Sequence, residues 1–380
     1  MTILSNSNTL SPPEFIDRLE KGLADKGHTV YRIGRGKCHK NISNVHNICL
    51  NSKVNTPFNT LFLLLKLALY PKRLSSLLSQ TLKLKGTKAR INFISKVGPV
   101  LLLLPDIIHI HWAPNLSDWL FFQKFNIRVV CSLRGRLVNV TPNTNSELLE
   151  IYRKSLYLAD GVHSVSAVMI DDLKRHEIKL PNNTRVIYSG VKNEAFTNVR
   201  KYNDEKRILI VGRDHWIKGY NYALRVLPFL DGDITMRFIG FTPTKETQYI
   251  IKILGIEKKV VFIERMAQSE ISKEMRSATI LLVSSVSEGI ANVAIEAMYN
   301  RLLVVSSRAG GMSELIAHKE TGFLFENRDV EDMRNNLMEA LRLTDGKKRQ
   351  IIEAAFQKVK TQHDYNNMIE EMENLYYRLI

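Results

Sequence analysis

Apolar residues along this 380-residue chain recur with two different spacings, and the two kinds of stretch take turns. Short runs of branched apolar residues bounded by Gly, Ser or Asp predict strands, and stretches with apolar residues three and four apart predict helices. The spacing predicts a helix over Pro12–Lys26, with Ser11 as its cap and prolines in its first turn, and then a strand in GHTVYRIG. Further strands are predicted in DIIHIHW (106–112), RVVCSLRGR and TRVIYSGV. Strands and helices then alternate from about residue 208 to 345, which implies a parallel sheet with helices on both faces. The fold class is therefore α/β. VKNEAFTNVRKYNDEK is polar, lacks periodicity and reads as a link between two domains of ordinary size. The final stretch, DYNNMIEEMENLYYRLI, predicts an amphipathic helix with Tyr365, Met368, Met372, Leu375 and Tyr376 on one face.

Two glutamates, Glu288 and Glu296, stand in the run SSVSEGIANVAIEAM. The strand ATILLVSS is expected to end at Glu288 and Gly289, with a helix beginning there on Val293, Ile295 and Met298. The backbone N–H groups of Gly289, Ile290, Ala291 and Asn292, and the positive end of the helix dipole, then face the crevice at the strand's end. Two carboxylates beside such an anion site suit a diphosphate flanked by hydroxyl-bearing sugars. Solvated helix-start residues are the plain alternative. Upstream, ILIVGRDHWIKGYNYALRVL predicts a second strand–turn–helix unit, with Arg213 and Lys218 bracketing its turn. Two cations at a strand's carboxyl end suit an anion that spans more than one phosphate.

GR-x4-KG, EGIANVAIEAM and SSRAGGMSELI…ETGFLF together resemble the retaining glycosyltransferases of family 4, which have the GT-B fold. The likeness is strongest from Arg207 to Phe325 and extends more weakly over Gly22 to Val191. It implies two Rossmann-like domains with parallel sheets facing across a cleft. Residues 1–194 would bind the acceptor, 195–350 the nucleotide sugar, and 351–380 would cross back to the first domain. By the same resemblance, Arg213 and Lys218 hold the donor's diphosphate, Glu288 lies by the donor sugar and Glu296 takes the ribose. His111, at the end of its strand, is expected close to the transferring sugar, and base contacts are expected near Ile263–Met266. Catalytic roles thus fall on Glu288, His111, Arg213 and Lys218, and donor binding extends to Arg265 and Met266.

The chain departs from that family in three places. Its first loop, SNSNTLSPPE, has no glycine, so acceptor contacts are expected from Asn6 and its polar neighbours, a plain capping loop being the alternative. Arg134 stands where many relatives carry His before Gly, and is expected to bind an anionic acceptor or to assist the donor phosphates. Glu264 and Arg265 replace a usual glycine. The implied activity is sugar transfer with retention to a saccharide or lipid-linked acceptor, in bacterial surface-polysaccharide assembly. A sugar- or membrane-binding protein that kept the fold and lost catalysis is the alternative from a different class.

With 44% hydrophobic and 24% charged residues, the composition is that of a globular chain. Cys38, Cys49 and Cys131 show no metal-ligand spacing, and a reducing cytosol is expected. MTILSNSN lacks the features of a signal peptide, and LFLLLKLALY is too short to span a bilayer and carries Lys66. Asp231-Gly232-Asp233 reads as a turn, and His109 and His111 share a strand face without a third ligand nearby, so no metal is expected. No cofactor is expected beyond the nucleotide-sugar substrate. The net charge is +16, yet residues 1–194 hold 27 Lys and Arg against 13 Asp and Glu, while 195–380 hold 27 against 25. The excess belongs to the first half, where the segment 51–105 has no Asp or Glu at all. That segment predicts helices with a solvated basic face, or helices lying on an anionic membrane at the inner face of the cell. No helix-turn-helix, zinc finger or aromatic RNA-binding signature is present, and nucleic acid is not an expected partner.

Overall fold

The computed structural model describes residues 1–37, 43–50, 56–192 and 206–380. The expected link at 191–206 and the start of the basic segment therefore lie mostly outside the described residues. The first sheet contains β1 (Thr2–Thr9), β2 (Thr29–Arg35), β3 (Val45–Cys49), β4 (Ile107–Ile110), β5 (Arg128–Leu133), β6 (Gly161–Ser164) and β7 (Thr184–Val186). The second contains β8 (Lys206–Val211), β9 (Ile234–Ile239), β10 (Val260–Ile263), β11 (Ile280–Val283), β12 (Leu303–Ser307) and β13 (Phe323–Phe325). Their orders are β3-β2-β1-β4-β5-β6-β7 and β10-β9-β8-β11-β12-β13. Every described strand pairing is parallel. Helices on both faces bury β4, β11 and β12 along their whole lengths, which is why these strands are nearly continuous Ile, Leu and Val. The strand order reverses between β1 and β4 in one sheet and between β8 and β11 in the other. Ligand crevices of open parallel sheets form at such reversals, beyond the strands' carboxyl ends.

The expected first loop is half strand. Asn6 and Asn8 pair with Ile33 and Gly34 across a register shift, and Asn8 takes φ 65°. Ser5, Asn6 and Ser7 are accordingly buried in β1, and only the stretch from Leu10 to Pro13 loops over to α1 (Glu14–Asp25). Pro13, not Ser11, occupies the cap position of α1. The basic segment forms α2 (Thr56–Ala68), α3 (Pro71–Leu82) and α4 (Thr87–Leu103). At the other end, the helix Asp345–Gln362 packs Ala355 and Val359 into the second domain's core. The helix Tyr365–Tyr377 instead packs Met368, Ile369, Met372, Leu375 and Tyr376 against Ile3, Leu19, Leu23 and Val130 of the first. Gly22 makes this contact possible, since a Cβ there would lie 2.4 Å from Ile369 Cδ1.

Candidate active site

The loops after β8 and β11 flank the reversal of the second sheet, and they are fastened together. Val286 N–H donates to Ile217 O (2.7 Å), and Ser284 Oγ donates to Lys218 O (2.9 Å). Gly219 permits this approach: its φ is +65°, and a Cβ would stand 2.0 Å from Ser284 O. The result places Lys218 Nζ 2.6 Å from Glu288 Oε1, an oxygen that also accepts from Ser285 Oγ at 2.7 Å. Glu288 does not end its strand as expected. β11 stops at Val283, and the loop that follows carries the carboxylate back toward Lys218. The glycines of SSRAGGM brace it from behind. Gly311 N–H donates to Gly289 O (2.7 Å), and at Gly310, with φ +57°, a Cβ would lie 1.8 Å from Glu288 O.

The helix Asn292–Tyr299 begins beside this carboxylate with Ala291 at its cap position and no capping side chain. The N–H groups of Asn292 and Val293 have no protein acceptor among the described residues. An uncapped helix start concentrates positive potential where first-turn N–H groups point outward. Arg213, Lys218, Glu288, Gly289, Ile290, Ala291 and Asn292 all line one cleft of about 590 Å³.

The opposite wall comes from the first domain. Phe15 from the first turn of α1, Trp112 after β4, and Arg134 and Arg136 after β5 line the same cleft. The Arg134 guanidinium lies over the Phe15 ring at 4.7 Å and has no ion-pair partner among the described residues. Its buried Nε also lacks a hydrogen-bond partner among those residues, and burial holds its pKa down to about 10. Arg136 Nη1 lies 3.3 Å from His215 Nε2, across the two domains. Four cations, Arg134, Arg136, Arg213 and Lys218, thus line the cleft against one carboxylate, Glu288. Such a cleft attracts a polyanion, and its low-dielectric walls strengthen the attraction.

Several expected site residues lie elsewhere. Glu296 is not part of the cleft lining. Its Oε2 accepts from Gln268 Nε2 (2.7 Å), and its Oε1 lies 3.4 Å from Arg18 Nη2 of α1, while burial raises its pKa despite that arginine. Arg265 is exposed after β10, and Met266 packs on the second domain's core; neither lines the cleft. Asn6 is buried, with its Oδ1 accepting from Asn8 N–H at 3.0 Å, because the strand runs further than expected. His111 is also buried outside the lining. Ser5 Oγ donates to Glu20, so the 2.9 Å contact between His111 and Ser5 is an Nε2–H donation to that oxygen. The Asp231-Gly232-Asp233 bend has Gly232 at φ +91° and pairs Asp231 with Arg342.

His109 belongs to a buried chain whose proton positions follow from its last member. His163 Nε2 lies 3.0 Å from Ile187 O and must donate, so its Nδ1 accepts from Ser132 O–H at 2.8 Å. Ser132 Oγ then accepts from His109 Nε2–H (2.7 Å), and His109 Nδ1 accepts from Tyr376 O–H (2.7 Å). Each histidine is neutral in this chain. Burial first, and then neighbouring positive charge, pushes His109 and His111 well below the usual histidine range and His163 down to about 3. Among the described residues no group of three His, Cys, Asp or Glu is placed to hold a metal.

The sequence reading did not single out Phe15, Trp112, Arg136, Asn139, His215 or Glu314. Asn139 Nδ2 donates to Glu288 O (2.7 Å), and Glu314 accepts from the N–H groups of Ala167 (3.0 Å) and Val168 (2.9 Å). Both contacts cross between the domains. Arg136 and Glu314 stood inside motifs already in view, RGR and SELI, whereas nothing local marks Phe15 or Asn139.

Residues 191–358 match the family described as Glycosyl transferases group 1. The N-acetyl-alpha-D-glucosaminyl L-malate synthase of Bacillus anthracis is 23% identical over 292 residues, which is 72% of this chain and 75% of that protein. The sucrose-phosphate synthase of Thermosynechococcus elongatus superposes with a TM-score of 0.79 at 17% identity, over 100% of this chain and 99% of that one. An Anabaena protein solved in complex with UDP and glucose superposes with a TM-score of 0.72 at 16% identity, over 100% of both chains. The segment that matches the group 1 glycosyl transferases contains the second sheet, and the chain as a whole has the GT-B fold of its structural neighbours.

Proposed function

We propose that this protein transfers a sugar from a nucleotide-diphosphate sugar to a saccharide or lipid-linked acceptor, with retention and without a metal ion, in the assembly of bacterial surface polysaccharide. The observation that carries this reading is the convergence of Lys218, Arg213 and an uncapped helix start on one cleft beside Glu288. Bond cleavage at the donor's anomeric carbon sends the electron pair to the leaving diphosphate. Negative charge then grows on its distal phosphate, where the two cations and the N–H groups of Asn292 and Val293 stabilise it. They do so more in the transition state than in the ground state, which is what lowers a barrier. Side chains thus supply the positive charge that a divalent ion supplies elsewhere. Glu288 holds Lys218 through Oε1 and has Oε2 to accept from donor-sugar hydroxyls. In the same-face attack implied by the family resemblance, the acceptor hydroxyl passes its proton to the leaving phosphate oxygen. Arg134, on the opposite wall, faces the acceptor and favours one that carries an anionic group. The long basic first half suits acceptors held at an anionic membrane.

The test is calorimetric titration with UDP, GDP, ADP and TDP, combined with nucleotide release from the matching sugar donors. Lys218→Met is expected to weaken the preferred nucleoside diphosphate roughly 10- to 100-fold, the range of a lost charge-assisted contact. Wild-type affinity and turnover in the folded variant would refute the diphosphate assignment.

A further inference from the structure

Outside the cleft, the least ordinary surface is the one formed by α2 and α3. Exposed large hydrophobics are scattered singly over most of the described chain, which is normal for a folded protein. Seven of the fifteen, however, fall within residues 61–82: Leu61, Phe62, Leu65, Leu69, Tyr70, Leu78 and Leu82. They form a ridge because Leu61, Leu65 and Leu69 repeat every four residues along α2 and just past its end, as do Leu78 and Leu82 along α3. Leu65, Leu69 and Leu82 are each more than 60% exposed.

The inward face of the same helices is already satisfied. Leu67 and Leu77 are fully buried, and Leu64 and Leu74 pack on the first domain's core beside α4. A helix pair apolar on both faces therefore leaves one apolar face without a protein partner among the described residues. Basic side chains rim it. Lys66, Lys72, Lys83, Lys85, Lys88 and Arg90 are exposed, and no Asp or Glu occurs between residues 51 and 105 to neutralise them. Two cations lie along the ridge's own aromatics, Lys66 Nζ 4.5 Å above the Phe62 ring and Arg73 Cζ 4.2 Å above Tyr70. Their stems run with the apolar surface while their charges stay at its edge.

We propose that the α2–α3 face lies on the surface of an anionic lipid bilayer, with the leucine ridge in the acyl boundary and the lysines at the headgroups. Charge decides the occupant. A second copy of this chain would bring an equally basic rim against the first, and a nucleic acid offers nothing to bury seven apolar side chains. An anionic bilayer is complementary to both the ridge and the rim. No described helix is long and apolar enough to cross a membrane, so the contact is interfacial. The proposal deepens the reading of a membrane-held acceptor but uses none of the cleft residues, so its failure would leave the diphosphate assignment standing.

Co-sedimentation of the full chain with vesicles tests it. Vesicles of phosphatidylcholine alone are compared with vesicles carrying about a third phosphatidylglycerol, at low and high salt. The expected result is binding to the anionic vesicles, weakened by salt, and reduced roughly tenfold or more by Leu65→Glu with Leu69→Glu. Lys83→Gln, Lys85→Gln and Lys88→Gln together are expected to lower the preference for anionic over neutral vesicles. All five positions are exposed, and an unchanged melting temperature checks that the variants are folded. Absent wild-type binding, or binding indifferent to the paired Leu→Glu changes, overturns the proposal. So does light scattering that shows a wild-type dimer converted to monomer by those changes, with no vesicle binding.

Discussion

Glu314 offers the sharpest test of how the two halves are held together. Its carboxylate accepts from the N–H groups of Ala167 and Val168, the first two residues of the helix Ala167–Arg175 in the first domain. It also accepts from Tyr188 O–H at 2.9 Å. Ser166 occupies that helix's own cap position, but its buried hydroxyl has no partner among the described residues, so the cap comes from the other domain. Burial and the Glu314 charge push the Tyr188 hydroxyl up to about 12, which keeps it a donor at neutral pH. Glu314→Ala removes three hydrogen bonds at once. A lost cap costs about 1 kcal/mol, the charge at the helix start another ~0.5 kcal/mol, and the tyrosine's lost acceptor ~1 kcal/mol. The total is about 2–3 kcal/mol, or on the order of 5 °C in melting temperature. Differential scanning calorimetry reads that shift directly. Glu314→Gln is expected to fall between the two, because one amide oxygen replaces two carboxylate oxygens. An alanine variant that melts within about 1 °C of wild type would refute the reasoning, since even the cap alone is worth more.

Two further outcomes follow from the same structure. If Arg134 serves the acceptor as proposed, Arg134→Met is expected to leave the affinity for the nucleoside diphosphate within about twofold while raising the acceptor KM roughly tenfold, because a cation of the cleft wall is removed; steady-state kinetics separate the two constants, and a loss confined to diphosphate binding would move Arg134 to the donor side. The histidine chain should make the fold acid-sensitive. With folded pKa values depressed below an unfolded value near 6.5, His109, His111 and His163 contribute stability that is present above about pH 6.5 and lost as the pH falls toward 3. Burial raises the pKa of Glu20 and Glu296, and these two carboxyls act in the opposite sense to the three histidines. Melting temperature should therefore fall by several degrees between about pH 7 and pH 5, and a flat profile over that range would contradict the neutral chain.

Much of the fold was legible because its signals are local. Period-two and period-3.6 spacing locate strands and helices from residues within one element, and strand–helix alternation implies parallel sheets. The two cationic and acidic turns were legible for the same reason. GR-x4-KG and EGIAN each sit in one loop at one strand's end, and the order of β8 and β11 brings the two ends together. The exit of β1 was misread because Ser and Asn resemble a loop until a neighbouring strand supplies hydrogen bonds. Pairing with β2 outweighed their weak strand preference.

The chain by itself thus determined the elements, the two-domain α/β class, the basic first half and the loops that carry Arg213, Lys218 and Glu288. Tertiary structure alone decided what those side chains meet. It set Arg134 against Phe15, Arg18 beside Glu296, and Glu314 on the helix start at Ala167, and it buried His111 against Ser5. Each of these contacts joins residues about a hundred or more positions apart. A side chain's partner depends on how the two sheets face each other, and no local spacing of apolar residues encodes that distance or angle.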